Sequence, residues 1–309
     1  MPSLQQLRYL VAIADTAHFS RAAERCHVSQ PTLSGQLKEL ERRLAGQLVE
    51  RDRKAKVILT PLGREVVARA RRILRDVEDI KDLARRGGPH PVGTIRLGAV
   101  PTLGAYFLSL VVPDLHLTFP ELRLFVREAG TESLLSALDD GQLDALLVPL
   151  PVRGEHLETT PLLREPLLAV VAADHPLARA SSVGPADLRG QTVLALEPGH
   201  RLHAQVEELC AQVGAKVARD FEGTSLDTLR LMVGMGLGLT FLPALYVRTE
   251  ALKDPAVRVL PFLPDAPVRQ IGLVWRKRSA RTEAFLTLAE RMRQVLEDSV
   301  AGIEVQRPG

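Results

Sequence analysis

The sequence contains only two cysteines, Cys26 and Cys210, and aromatic residues make up only 4% of its 309 positions. Two cysteines cannot form a disulfide framework, and no group of Cys and His residues has the spacing of a metal site. No apolar run approaches the roughly 18 residues that a membrane-spanning helix needs. The N-terminus has no basic leader and no small-residue cleavage site, so we expect no signal peptide and a cytoplasmic location.

The residues that are present are those of an ordinary globular protein, with 46% apolar and 25% charged positions. The length suits about two or three domains. Charge is unevenly spread, because residues 1–91 hold 18 Lys and Arg against 11 Asp and Glu, whereas the rest hold 22 against 26. A basic N-terminal third on an acidic body predicts that the first part binds a polyanion. A solvated charged face is the alternative.

The first 44 residues predict three helices. Apolar side chains recur with the helical period from Leu4 to Ala14, and "SRAAERC" predicts a short second helix with Ser20 as its N-cap. Ser29 is expected to cap a third helix that has Pro31 in its first turn. The apolar stripe of the third helix is formed by Leu33, Leu37, Leu40 and Leu44. Two short helices joined by a tight turn predict a helix-turn-helix.

The exposed start of the third helix is suited to hydrogen bonds with base edges in a major groove. The residues predicted to contact DNA there are Gln30, Pro31, Thr32, Ser34 and Gln36. Next, "RDRKAK" lies between two short β-prone runs, as in a wing-like hairpin. Its basic side chains, which are expected to contact phosphates, are Arg51, Arg53, Lys54 and Lys56. A helical domain without nucleic acid is the alternative, but the agreement of helix, cap and wing favours DNA binding.

A long helix is predicted after the wing, because Thr60 and Pro61 combine an N-cap with a proline at the first helical position. Its apolar seam continues to "RRGGPHP", over about 26 residues or roughly 39 Å. Such a seam predicts pairing with a second subunit, and a homodimer suits a two-fold operator. Packing on its own chain is the alternative. The expected domains are 1–60 for DNA binding, 61–88 for the linker helix and 92–309 for regulation.

From Gly93 onward, strand-like apolar runs alternate with helical stretches, which predicts an α/β domain with largely parallel sheets. We interpret "LETTPLLREPLLAVVA" as a crossover into a second lobe and "RQIGLVWRK" as the return. Lobe I is expected at about 92–163 and 269–309, and lobe II at about 164–268. Bilobed folds bind small ligands in the cleft between the lobes.

Three threonines stand where a strand ends or a helix begins, namely Thr102, Thr131 and Thr224. The free N–H groups of a helix start can hold an anion or a polarised oxygen. A plain N-cap is the commoner role of each threonine, so a ligand site requires that they face one cleft.

The pattern "LRYLVAIADTAHFSRAAERCHVSQPTLSGQLKELERRLAGQLVERD", followed by "LTPLG", resembles the winged helix-turn-helix of LysR-type transcriptional regulators. This resemblance implies that bases are approached by Gln30, Pro31, Thr32 and Ser34. It also implies that Arg53 lies near the minor groove or the backbone.

The segments "PTLGAYFLSLVVPDLHLTFPEL", "LEPGHRLHAQVEELCAQVGA" and "FEGTSLDTLRLMVGMGLGLTFLPAL" are similar to OxyR, the peroxide-responsive LysR-type regulators. The resemblance implies a fold of class α + α/β, with a winged helix-turn-helix, a long linker helix and a bilobed α/β regulatory domain resembling periplasmic-binding proteins. It implies double-stranded DNA and RNA polymerase as partners, dimers assembled into a homotetramer, and hydrogen peroxide as the signal. No cofactor, metal, membrane partner or enzymatic activity is expected.

In that family, a cysteine after Gly-His reacts with peroxide, and a second cysteine further on resolves it as a disulfide. Here Arg201 takes the first place and Cys210 fills the second. The pocket for peroxide or an effector is expected to contain Thr102, Thr131, His200, Arg201, His203, Thr224 and Arg269. Another pocket position, normally acidic, is Ala204.

The two cysteines carry different expectations. Cys26 lies on the inner side of its short helix and is expected to be a packed small hydrophobe. Cys210 is either a buried filler with a raised pKa or a thiolate favoured by His200, Arg201 and His203. A Cys26–Cys210 disulfide is strongly disfavoured, because it needs Cα atoms within ~7 Å across two domains that the long helix separates.

Three interpretations follow. The first is a transcriptional regulator that senses peroxide through oxidation of Cys210 to a sulfenic acid; an intersubunit Cys210–Cys210 bond is a weaker variant. The second is a regulator controlled by a small-molecule effector in the cleft, with Cys210 structural. The third is a thiol peroxidase with a DNA-binding head, which is disfavoured because no second thiol is nearby.

Overall fold

The computed structural model describes residues 1–51, 57–85, 91–219, 223, 225–299 and 302–307. Contacts divide the chain into two compact units, residues 1–88 with 136–143 and residues 89–135 with 144–309. Some predicted site residues lie outside the described part, namely Arg53, Lys54, Lys56, Thr224 and the side chain of Arg51.

The first unit contains the three predicted helices, two short strands and a long helix. They are α1 (Leu4–Thr16), α2 (Phe19–Arg25), α3 (Gln30–Leu44), β1 (Val49–Arg51), β2 (Val57–Leu59) and α4 (Pro61–Arg85). The strands β1 and β2 pair antiparallel, as the predicted wing requires. The core beneath them is closed by fully buried side chains, among them Leu10, Ile13, Leu33, Leu40 and Leu48.

The caps of the helix-turn-helix were predicted correctly at one helix and wrongly at the other. Ser29 caps α3, since its hydroxyl accepts a bond of 3.3 Å from the backbone N–H of Thr32. Ser20 does not cap α2, because α2 already begins at the buried residue Phe19, and the cap position is taken by His18. The Ser20 hydroxyl instead donates a 3.1 Å hydrogen bond to the side-chain oxygen of Gln30.

The long helix α4 begins as predicted. The Thr60 hydroxyl accepts a 2.9 Å bond from the N–H of Gly63, and Pro61 is the first helical residue. Val67 and Ala70 are buried within the first unit, so the first turns of α4 pack on their own chain. Further along, Ile73 and Ile80 are exposed.

The rest of the chain alternates strands and helices. The strands are β3 (Gly93–Ala99), β4 (Leu122–Glu128), β5 (Ala145–Leu150), β6 (Leu157–Ala172), β7 (Thr192–Val193), β8 (Lys216–Val217), β9 (Thr240–Pro243), β10 (Val257–Leu260), β11 (Val268–Arg276) and β12 (Glu304–Val305). The helices are α5 (Gly104–Thr118), α6 (Thr131–Asp139), α7 (Pro185–Leu188), α8 (Arg201–Val213), α9 (Leu226–Gly234), α10 (Ala244–Thr249) and α11 (Thr282–Ser299). None of the described helices is long and apolar enough to cross a membrane.

The main sheet is mixed, so the prediction of largely parallel sheets was wrong. Its strand order is β10-β6-β11-β5-β3-β4, with β9 and β12 also paired to β6. Only β3 pairs in parallel, with β4 and β5, whereas β11 runs antiparallel to both of its neighbours, β5 and β6. Alternation of apolar strands and helices occurs in parallel and mixed sheets alike. It therefore could not show that β11 inserts against the direction of its neighbours.

The two segments interpreted as crossovers are the long strands β6 and β11. The first part of β6, up to Pro166, pairs with β11. The second part, from Leu167, pairs with β9 and β10. One continuous strand thus joins two sets of strands, and the exact bounds of the two lobes stay a prediction.

We expect Ile13→Ala to lower the free energy of unfolding of the first unit by about 2–5 kcal/mol, because Ile13 is fully buried and a cavity would remain. The matched control on the same helix is Leu4→Ala, at a side chain that is 42% exposed, with an expected change within about 0.5 kcal/mol. Urea unfolding followed by far-ultraviolet circular dichroism measures both. Equal losses in the two variants would contradict the packing described here.

Candidate functional site

The start of α3 presents an open polar surface. Gln30, Pro31, Thr32 and Gln36 are exposed, and Ser34 is half-buried. On the opposite side, the leucine stripe of α3 faces the core. No atom lies within 4 Å of a Cβ built on Gly35, so a backbone or a base could approach this helix closely. The residues predicted on α3 to contact DNA therefore lie in the first half of the helix, and their contact with bases stays a prediction.

Hydrogen bonds fix the side chains of this surface before any DNA arrives. The Gln36 amide oxygen accepts a 3.1 Å bond from the amide of Gln6. The hydroxyls of Ser29 and Thr32 lie 2.7 Å apart. With the Ser20–Gln30 bond, these contacts hold both ends of the polar surface in defined rotamers, which lowers the entropy lost on binding.

In the second unit, most residues of the predicted pocket line one small cavity. These residues are Thr102, Thr131, His200, Arg201 and Arg269. The cavity also has Val100, Gly130, Pro149, Gly199, Leu202 and Gln205 in its walls. Its volume is about 10 Å³, which is roughly the room that one water-sized molecule needs.

The cavity forms where several elements begin or end. Thr102 follows β3, and Thr131 is the first residue of α6. His200 stands at the N-cap position of α8 without a side-chain cap bond, and Arg201 is the first residue of that helix. Two helix N-termini thus reach the cavity, and their partial positive charge favours an oxygen ligand that accepts hydrogen bonds.

Arg201, which the resemblance to OxyR places at the position of the reactive cysteine, lines this cavity. Arg201 donates a 2.9 Å bond from its Nη1 to the backbone oxygen of Pro151. No cysteine is among the residues that line the cavity. The cavity can therefore hold a small oxygen-containing molecule, but it has no thiol with which to reduce a peroxide.

A buried ion pair stands behind the cavity. Arg269 donates from Nε to Glu165 at 2.6 Å, and from its two Nη atoms to Oγ1 and the backbone oxygen of Thr102 at 3.1 and 3.0 Å. Sequence reasoning missed Glu165. The signal that could have found it is the one acidic residue in the otherwise apolar second half of "LETTPLLREPLLAVVA", because a buried carboxylate needs a partner.

Cys210 lies away from the cavity, inside an apolar cluster. Its side chain is 2% exposed and packs with Leu202, Val206 and Leu209 of α8. Burial raises the pKa of the Cys210 thiol to about 11, and the nearby carboxylate of Glu207 acts in the same direction. The hypothesis that upstream cationic groups favour a thiolate is contradicted, since both influences on this thiol, burial and the Glu207 carboxylate, raise its pKa.

His203 does not line the small cavity. It donates from Nδ1 to the backbone oxygen of Leu196 at 2.6 Å. Both His203 and Cys210 border an open groove of about 810 Å³, together with residues 215–219. The placement of His203 in the pocket around Thr102 was therefore wrong, because its side chain leaves α8 on another side.

Cys26 is half-buried and stands at the C-terminal end of α2, where it packs against the core of the first unit. Burial raises the pKa of its thiol. The packed role predicted for Cys26 agrees with this position. Among the described residues, no group of three or more His, Cys, Asp or Glu side chains has the arrangement of a metal site.

The sequence matches two family profiles. The profile "Bacterial regulatory helix-turn-helix protein, lysR family" covers residues 4–64. The profile "LysR substrate binding domain" covers residues 88–297. Between them they span both described units.

Relatives match over almost the whole length. The DNA-binding transcriptional dual regulator OxyR of Escherichia coli is 43% identical over 94% of this chain and 95% of its own. A full-length OxyR variant from Pseudomonas aeruginosa superposes with a TM-score of 0.80 at 36% identity, covering 94% of each chain. A Corynebacterium glutamicum OxyR mutant, described as H2O2-bound, gives a TM-score of 0.66 at 32% identity and covers 96% of this chain and 95% of its own. The chain therefore belongs to the LysR family, in which it is an OxyR-like DNA-binding transcriptional regulator and not an enzyme.

Proposed function

We propose that this regulator responds to hydrogen peroxide, and that the response proceeds through oxidation of Cys210. The observation that carries the proposal is the position of Cys210, the only cysteine after residue 26, at the border of an open groove. Supporting it are relatives from Escherichia coli and Pectobacterium whose names state that they activate hydrogen peroxide-inducible genes.

The proposed step transfers one oxygen atom. The thiolate of Cys210 attacks one oxygen of the peroxide, the O–O bond breaks, and the second oxygen leaves as water once it is protonated. The product is a sulfenic acid, which cellular thiols can reduce again. Its added oxygen is polar and sits against Leu202, Val206 and Leu209, so it must find hydrogen bonds or displace α8.

A second candidate is favoured by the burial and raised pKa of Cys210. In it, Cys210 is structural and a small effector binds in the cavity of Thr102, Thr131 and Arg269. Cys210 is nine residues along α8 from Arg201, which is roughly 14 Å of helix. A molecule in the cavity is therefore out of reach of the thiol, and the two candidates use different sites.

We further propose how the protein meets DNA and its own copies. The start of α3 contacts bases in the bacterial cytoplasm, where the operator DNA lies, and the wing contacts phosphates. Exposed Ile73 and Ile80 on α4 provide an apolar surface for a second subunit, as a homodimer on a two-fold operator requires. Two such dimers form a tetramer, and RNA polymerase is a further partner of the DNA-bound form.

Treatment of the purified protein with a modest excess of peroxide should give a sulfenic acid at Cys210, which intact mass with a sulfenic-acid trap measures. Cys210→Ser should lose the trapped adduct, whereas the control Cys26→Ser should keep it, because Cys26 is packed in the other unit. In a reporter strain, Cys210→Ser should abolish the peroxide response. An unmodified Cys210 in wild-type protein would instead support the effector in the cavity.

The rate of Cys210 oxidation should depend steeply on pH. With a pKa of about 11, the reactive thiolate is only about 10⁻⁴ of the thiol at pH 7. The rate should therefore rise about tenfold per pH unit from pH 7 to pH 9, because only the deprotonated fraction reacts. Trapping of adducts over time at each pH measures this slope, and a rate that levels off above about pH 8.5 would show that the thiolate forms in an opened state with an ordinary thiol pKa.

Thr32→Ala should weaken specific operator binding by about 1–3 kcal/mol, since it removes a polar group from the base-contacting end of α3. Binding to unrelated DNA should hardly change, because phosphate contacts dominate there. The control is Gln5→Ala, a neutral exposed side chain on α1. Fluorescence anisotropy at fixed salt measures both affinities. A uniform loss on all DNA would contradict base contact by Thr32.

A further inference from the structure

We propose that Glu165 is a positioning residue of the small cavity, acting through Arg269 to fix Thr102 as a hydrogen-bond donor to the bound molecule. This inference rests on the second candidate function, in which the cavity holds a small oxygen-containing effector, and peroxide is the probe used for it. Glu165 does not line the cavity itself. Its role follows from three sets of contacts.

The first contact joins two strands. Glu165 on β6 and Arg269 on β11 are direct partners in the antiparallel register. The carboxylate Oε1 accepts from Arg269 Nε at 2.6 Å, and neither side chain is more than 2% exposed. A short charge-assisted bond between two rigid strands fixes the plane of the guanidinium, which has its donors in one fork.

The second set of contacts passes this orientation to Thr102. Arg269 donates from Nη1 to Thr102 Oγ1 and from Nη2 to the Thr102 backbone oxygen. The Thr102 hydroxyl is thereby used as an acceptor on its Arg269 side, and its own hydrogen must point elsewhere. Because Thr102 and Arg269 both border the cavity, the hydroxyl hydrogen is available to an oxygen held there.

The third contact holds Glu165 from its other end. Oε2 accepts a 2.9 Å bond from the backbone N–H of Leu245, in the first turn of α10. The N-cap position of α10 is Pro243, which supplies no side-chain cap. The carboxylate is therefore anchored on both oxygens and cannot turn away from Arg269 without leaving a buried N–H unpaired.

Glutamine cannot replace this carboxylate. It has one acceptor oxygen and one NH₂ group, so it can accept from Arg269 or from Leu245, but not from both. Glu165→Gln keeps the side-chain volume, but its NH₂ group must face either the Nε–H of Arg269 or the backbone N–H of Leu245, which are both donors. It is thus the smallest change that releases the guanidinium.

A purely structural ion pair would show the same burial, so a matched control is needed. Thr160 lies on the same strand β6 and is 2% exposed. Its hydroxyl accepts a 2.6 Å bond from Nη2 of buried Arg293, away from the cavity. Thr160→Val keeps the shape and removes an acceptor from a buried arginine, which is comparable structural damage at a different place.

The test uses the full-length protein and two readouts. The first is the ¹³C-methyl resonance of Thr102, assigned with Thr102→Ser, which should shift in Glu165→Gln and stay unchanged in Thr160→Val. The second is the peroxide dose response of a reporter. Glu165→Gln should raise the half-maximal peroxide concentration by about tenfold and leave the maximal response unchanged, because a charge-assisted contact behind the cavity is lost.

The outcomes separate this inference from the proposed function. An unmoved Thr102 resonance in Glu165→Gln, or an equal shift in Thr160→Val, would overturn the positioning role. If the wild-type protein does not respond to peroxide while Thr102 shifts as expected, the peroxide proposal fails and the positioning of Thr102 by Glu165 stands. A fall in maximal response with an unchanged half-maximal concentration would show that Glu165 only stabilises the fold, and would also overturn the inference.

Discussion

The antiparallel pairing of β6 with β11 is the constraint on which the second unit depends. It sets Glu165 opposite Arg269 and continues along β11 as far as Arg276. Just beyond Glu165, β6 leaves β11 and pairs with β9 and β10 instead. The buried ion pair thus stands at the point where one strand passes between two sets of partners. A molecule that changes the orientation of Arg269 therefore acts where those two sets of strands are joined. A small shift at that point can change the arrangement of both sets.

The helix α8 connects the two chemical features of the unit. It begins at the cavity with Arg201 and carries Cys210 near its other end, inside the apolar cluster. A ligand at its N-terminus or an oxygen added at Cys210 would therefore act on the same rigid element, although from opposite ends. Each is a local change that can shift the position of α8, and a switch needs such an element with two positions. The helix ends at Gly214, whose positive φ of 74° ends α8 one turn after Cys210.

Local signals predicted the parts of the molecule that local chemistry determines. Ser29 and Thr60 cap their helices because a hydroxyl followed by a helical run has few alternatives. The prediction that Ser20 caps α2 was wrong, because α2 already begins at Phe19, whose side chain is buried. The direction of β11 and the carboxylate of Glu165 could not be predicted, because both depend on partners about a hundred residues away in the chain. Five of the pocket residues implied by the resemblance line one cavity. The direction of the His203 side chain, which bonds to Leu196, could not be inferred from the sequence.

Arg201 stands where the resemblance to OxyR implies a reactive cysteine, and this difference bears on what the cavity can do. A cysteine there would be a nucleophile between two helix N-termini, where a thiolate is stabilised. A guanidinium has no lone pair to offer and donates only, so it can hold an oxygen but cannot accept one. The cavity and the proposed site of oxidation are therefore two different places in this chain. Thr102 and Arg269 border the small cavity, whereas the only thiol of the second unit lies at Cys210, with its pKa raised by burial. Because burial keeps this thiol protonated, the proposed oxidation of Cys210 is expected to be slow at neutral pH.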